Sequence, residues 1–164
     1  MLSKETMENK NTESENEGSS QGSEKLAAIR VRGITNIPSK VEGTLRMLRL
    51  YRKNYCCVLP KNAVNLGMLK QAKDYITWGD IDDATFSALI SKRGEEFSGN
   101  ETDSNEKIKY NDFFVFDGKK LKKYFCLNPP RKGFERKGIK HSYQNGGALG
   151  FRGSAINDLI MRMV

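Results

Sequence analysis

Between residues 25 and 94, short apolar runs that stop at glycine or proline alternate with longer stretches whose apolar residues recur every three or four positions. That alternation confines the chain to architectures in which amphipathic helices pack on paired strands. Residues 25–33 (KLAAIRVRG) read as a strand with Ala27, Ile29 and Val31 on one face and Arg30 and Arg32 on the other. Gly33 opens a turn that runs through Asn36, Pro38 and Ser39. Val41, Leu45 and Leu48 recur at four and three, predicting an amphipathic helix from Val41 to Lys53 with Arg46, Arg49, Arg52 and Lys53 on its other faces. The run YCCVL, stopped by Pro60, reads as a buried strand. A second helix is expected to carry Leu66, Leu69, Ala72 and Ile76 on one face and to end at Trp78-Gly79. Acidic side chains at Asp80, Asp82 and Asp83 suit the start of a third helix, which carries Phe86, Leu89 and Ile90 and stops at Gly94.

Beyond Gly94 the pattern loosens. Residues 95–112 are polar and acidic, as in a surface loop, and FFVFDGKK is either a short strand or a hydrophobic anchor. KKYFCLNPP reads as a strand halted by two prolines. Glycines and cations then alternate with Phe134, Tyr143 and Phe151 over residues 131–153 without a regular period. The chain closes on a small helix with Ser154 as N-cap and Ile156, Leu159, Ile160 and Met163 on one apolar face. The whole suggests a small α+β sandwich with helices on one side of a short sheet. A length of 164 residues suits one domain, taken as residues 24–164, with 95–120 as a variable insertion, 131–153 as a basic arm and 154–163 as the terminal helix.

Charge narrows the function. The formal net charge is +8, yet residues 119–164 hold eleven Lys and Arg against only Glu135 and Asp158. A positive field so localised attracts polyanions, nucleic acid first. Residues 1–23 carry five Glu and two Lys with few large apolar side chains, which predicts a disordered acidic tail, and they lack the apolar centre of a secretory signal. No apolar run approaches the ~20 residues of a membrane span. Cys56, Cys57 and Cys126 have no metal-binding spacing and sit among apolar residues, as reduced core thiols of a cytosolic protein would. Were residues 55–59 a strand, Cys56 and Cys57 would point to opposite faces.

Enzymatic signals are weak. His141 stands alone among Lys and Gly, the aspartates at 80, 82 and 83 are better explained by a helix start than by magnesium, and Gly147, Gly150 and Gly153 do not have dinucleotide-loop spacing. Binding signals are stronger. Cations of the arm can neutralise phosphates, its aromatics can stack on unpaired bases, and its glycines permit close backbone approach. Having no core pattern of its own, the arm is expected to order on contact with a partner. No DNA-binding motif is present, so folded RNA is the favoured ligand.

The segments LAAIRVRG, VEGTLRMLRLYRKNYCCVLP, NLGMLKQAKDYITWGDID, LISKRG, NPPRKGF and GGALGFRG follow one another as they do in one family. On these the chain resembles archaeal-type ribosomal protein thirty of the large subunit, a relative of bacterial ribosomal protein L-thirty and eukaryotic ribosomal protein L-seven. The resemblance covers residues 25–94 and 121–164. It implies a βαβαβ core with a small three-stranded antiparallel sheet, ferredoxin-like, carrying a helical insertion and a basic C-terminal extension. It further implies a cytoplasmic structural constituent of the large ribosomal subunit that binds and stabilises 23S rRNA near the 5S rRNA, beside neighbouring ribosomal proteins. Catalysis, cofactor, metal, membrane and homo-oligomer are not expected. An extra-ribosomal RNA-binding translational regulator is the alternative, and an RNA-processing enzyme using His141 or the acidic cluster is a more distant one.

By the same resemblance, RNA would be met by Arg32, Lys40, Arg46, Arg49, Arg52, Lys53, Lys70 and Lys73 in the first half. In the extension the expected contacts are Arg131, Lys132, Phe134, Arg136, Lys137, Lys140, His141, Tyr143, Phe151 and Arg152. Two departures from the family stand out. The tail is acidic where eukaryotic relatives have a basic extension, and residues 95–120 are shorter and less helical than the usual archaeal insertion.

Overall fold

The computed structural model describes residues 25–102, 107, 109–110 and 112–164. The acidic segment 1–23, expected to be disordered, lies outside the described residues. Strand β1 (Lys25–Arg30) is followed by α1 (Ser39–Met47), β2 (Tyr55–Pro60), α2 (Ala63–Gln71), β3 (Ile76–Asp80) and α3 (Asp83–Arg93). A hairpin of β4 (Phe113–Phe116) and β5 (Lys119–Lys122) comes next, then β6 (Phe125–Cys126), two 3-10 turns (Gly138–Lys140 and Tyr143–Asn145), β7 (Gly150–Phe151) and α4 (Ala155–Met163).

The βαβαβ core is present, with β1 paired antiparallel to both β2 and β3. The sheet is wider than the expected three strands. Its order is β6-β2-β1-β3-β7, with β6 antiparallel to β2 and β7 parallel to β3. At the centre, Ala28 lies opposite Cys57 on one side and Trp78 on the other.

Helices cover both faces of this sheet, not one. Leu26, Ala28 and Cys57 pack with Leu45, Leu48, Leu69 and Trp78 beneath α1 and α2. Ala27, Ile29 and Cys56 pack with Leu89, Ile156, Leu159 and Ile160 beneath α3 and α4. The reason lies in β1, where every residue from Leu26 to Arg30 is buried. A strand apolar on both faces needs two covering layers. Cys56 and Cys57 do point to opposite faces, and Ile156, Leu159, Ile160 and Met163 are the buried face of α4.

Two helices end earlier than their apolar spacing predicts. The first stops at Met47, because Arg49 takes a left-handed conformation (φ 59°). Leu50 N–H then donates to the Leu45 carbonyl and Arg49 N–H to that of Arg46, the hydrogen-bond pair of a Schellman cap. Arg49, Arg52 and Lys53 therefore sit on a loop instead of along a helix face. The second helix stops at Gln71, and Ile76, Trp78 and Gly79 belong to β3. Where a helical insertion is implied, the described residues of 95–120 hold no helix and lead into the β4–β5 hairpin. Its turn is Asp117-Gly118, both at positive φ (49° and 74°), the conformation a two-residue type I′ loop requires.

Cys56 and Cys57 are fully buried, and burial pushes the Cys57 thiol up to about 12 and the Cys56 thiol higher than its ordinary value too. Thiolate is the reactive form. A disulfide-exchange reagent at neutral pH should therefore label at most the half-buried Cys126 in native protein and all three thiols after denaturation. Rapid native labelling of more than one thiol would contradict this burial.

Candidate nucleic-acid interface

The expected RNA-contacting residues fall on two regions. In the first, Lys40 and Arg46 lie on α1, Arg49, Arg52 and Lys53 on the loop to β2, Lys70 in the last turn of α2 and Lys73 in the turn that follows it. Arg32 follows the end of β1. Its guanidinium donates to the Asp74 carbonyl (3.2 Å) and lies 5.5 Å from the Tyr75 ring centroid. The second region is the 131–153 segment, which joins the sheet at the β3 edge through its own strand β7. The two meet near the end of β1, since Val31, one residue before Arg32, packs on Ala148 and Leu149.

Some surface cations are held by carboxylates and others are not. Lys25 pairs with Asp83, Lys61 with Asp80 and Lys122 with Glu95, at 2.7–3.1 Å. Among the described residues, no salt bridge engages Lys40, Arg52, Lys53, Lys70 or Lys73, nor Arg131, Lys132, Arg136, Lys137 or Lys140, and all are exposed. His141 is exposed beside them. Arg46 is held by Glu42 one helical turn away (2.8 Å) and Arg49 by Asp112 (2.8 Å).

The arm is folded on the protein itself. Its backbone closes through Lys137 N–H to the Gly146 carbonyl (3.1 Å), Ala148 N–H to Gly138 (3.1 Å) and Leu149 N–H to His141 (3.1 Å). Gly147 lets the turn close, because a Cβ there would meet the His141 carbonyl at 2.2 Å. Ala148 and Leu149 supply the core that composition had concealed.

Arg152 anchors this arrangement and is not available to a phosphate. Its side chain is 1% exposed. Nε donates to Thr77 Oγ1 (2.9 Å), Nη1 to Glu135 (3.1 Å) and Nη2 to the Ala148 carbonyl (3.2 Å), while Tyr143 lies under the guanidinium at 4.5 Å. Burial pulls its pKa down, opposed by Glu135. Phe134 is half-buried against both core clusters it borders, and Tyr143 is half-buried beneath Arg152. Of the three aromatics of the arm, only Phe151 is substantially open, at 49%.

Arg30 was legible only as an outward-facing strand residue, yet it is buried. It donates to the carbonyls of Leu50 (2.6 Å), Tyr51 (2.9 Å), Gly33 (2.8 Å) and Arg32 (3.1 Å). One guanidinium thereby fixes the loops on which Arg32, Arg49, Arg52 and Lys53 stand, using the fork geometry that lysine lacks. Burial lowers its pKa, opposed by Glu42.

A family described as Ribosomal protein L30p/L7e matches residues 26–76. The chain is 43% identical to the large ribosomal subunit protein uL30 of Nanoarchaeum equitans, over 84% of this chain and 97% of that protein. It is 43% identical to the uL30 of Methanopyrus kandleri over 82% of this chain and 100% of that protein, and 41% identical to that of Thermoplasma volcanium over 85% and 92%. With identity of 41–43% over more than four-fifths of its length, the chain belongs to the uL30 family of ribosomal proteins.

Proposed function

We propose that this chain is a non-catalytic, cofactor-free structural component of the cytoplasmic large ribosomal subunit, where it binds and stabilises folded 23S rRNA near the 5S rRNA beside other ribosomal proteins. The observation that carries the reading is the set of ten exposed cations on the α1 and α2 side and on the arm that, among the described residues, have no salt-bridge partner. Such cations repel one another until a polyanion neutralises them. Because the arm is folded beforehand, association costs less ordering entropy than a disordered arm would.

Backbone geometry supports the same reading. Lys132 adopts φ 66° at the third position of a turn closed by Gly133 N–H to the Pro130 carbonyl (3.0 Å). Glycine or asparagine is the less costly residue there. A lysine kept at a left-handed position points to a use for its side chain.

The test is rRNA binding across a salt series. With about 6–10 phosphates neutralised, affinity falls by ~10³–10⁵ between 50 and 200 mM salt. An affinity independent of salt would refute the proposal. Lys132→Gly should keep or raise stability by up to about 1 kcal/mol while reducing the salt slope by about 1. An unchanged slope would remove Lys132 from the interface.

A further inference from the structure

At the opposite edge of the sheet from the arm, three tyrosines come together. Tyr55 of β2 and Tyr124, just before β6, stack with centroids 5.3 Å apart and planes at 8°. Tyr51, on the loop after α1, stands at 90° to Tyr124 with centroids 5.9 Å apart. Tyr51 is the open ring of the three, 46% exposed. Together with Arg49, Phe97, Asp112 and Lys122, Tyr51 and Tyr124 line a depression of about 360 Å³.

The surroundings are cationic. Arg52 and Lys53 follow Tyr51 directly and are exposed, with no salt-bridge partner among the described residues, while Lys122 lies 5.9 Å from the Tyr124 centroid. Two of the basic groups are matched by carboxylates, Arg49 by Asp112 and Lys122 by Glu95. The backbone is also held in place. Arg30 donates to the carbonyls of Leu50 and Tyr51, and its own carbonyl accepts from Asn54 N–H at 2.8 Å. The ring is thus presented on a pinned loop, so little ordering cost remains to be met on binding.

We infer that the Tyr51 corner is a receptor for one unpaired nucleobase of the bound RNA, stacked on Tyr51 and flanked by phosphates on Arg52 and Lys53. The inference rests on the reading of this chain as an rRNA-binding protein. An open aromatic face beside unmatched cations fits a ligand that carries a flat ring and an anion in one unit, as a nucleotide does. Stacking tolerates any base, because every base has a π-face.

The test uses the full chain, large-subunit rRNA as probe, and ultraviolet cross-linking with peptide mass spectrometry. Tyr51→Leu should weaken binding about 5- to 150-fold, with the salt slope unchanged because no phosphate contact is lost. Tyr51→Phe should bind as wild type, and the wild-type complex should yield a nucleotide adduct on the peptide that contains Tyr51. Wild-type affinity in Tyr51→Leu, with affinity lost in an Arg136→Gln/Lys137→Gln variant, would overturn the nucleobase site while leaving rRNA binding intact. In assembled subunits, a cross-link from Lys53 to another ribosomal protein without any nucleotide adduct at Tyr51 would put a protein there and overturn it as well. Failure of the wild-type chain to bind rRNA would defeat the functional reading and this site with it.

Discussion

Arg152→Met should lower the thermal unfolding midpoint by about 6–12 °C, which corresponds to ~3 kcal/mol for a domain of this size. Methionine fills much of the space but supplies none of the three donors, so Thr77 Oγ1 and the Ala148 carbonyl each lose a partner in a site 1% exposed. Glu135 keeps a more distant neighbour in Arg162 at 3.8 Å, which limits the cost on that side. Arg152→Lys should recover little, because Nε and both terminal nitrogens are in use and an ammonium cannot reach all three acceptors. Differential scanning calorimetry measures the shift, and limited trypsinolysis should show new cleavage within residues 131–140 as the arm comes off the β3 edge. A variant that unfolds at the wild-type temperature yet binds RNA poorly would instead return Arg152 to the phosphate contacts.

Gly79→Ala should be of similar severity, about 3 kcal/mol, by the opposite mechanism. Gly79 lies inside β3, and a Cβ there would sit 2.0 Å from the Gly153 carbonyl oxygen and 3.1 Å from Ile156 Cβ. Both neighbours belong to the entry into α4, and a backbone carbonyl cannot rotate aside as a long side chain can. Overpacking of this kind costs typically 1–3 kcal/mol and occasionally more. The displaced element is α4, whose Ile156, Leu159 and Ile160 form part of the core on that face. Gly67→Ala is the matching control. Its Cβ would meet nothing within 4 Å, and in the interior of α2 alanine should add about 0.5–1 kcal/mol. Equal behaviour of the two variants in chemical denaturation would contradict the close crossing of α4 over β3.

These two residues also mark where a linear reading fails. Local patterns revealed what depends on local patterns, such as the alternation that sends Cys56 and Cys57 to opposite faces and the apolar side of α4. Strand β3 was concealed by coincidence, since Ile76 follows Ala72 at helical spacing although the helix has already ended at Gln71. The β-branched and aromatic run Tyr75-Ile76-Thr77-Trp78 was the competing signal, and burial in the sheet decided in its favour. The hairpin after α3 was announced by Asp117-Gly118, a turn pair that weighs more than the composition around it.

Arg30 and Arg152 are a different case. Their acceptors lie up to 21 and 75 residues away in the chain, so nothing near either arginine distinguishes it from the exposed cations beside it. For the same reason the arm looked unable to fold alone. Its core consists of Ala148 and Leu149 against Val31, a contact between distant parts of the chain. The surface cations needed no such long-range information, and the structure leaves most of those singled out from sequence exposed.

Whether this chain is a component of the large ribosomal subunit is decided by sedimentation of native lysate through a sucrose gradient, with the chain quantified by mass spectrometry after the subunits are separated at low magnesium. One copy per large subunit, retained through a moderate salt wash and released as salt rises further, is the predicted result. A chain found only in the free fractions at the top of the gradient would contradict it.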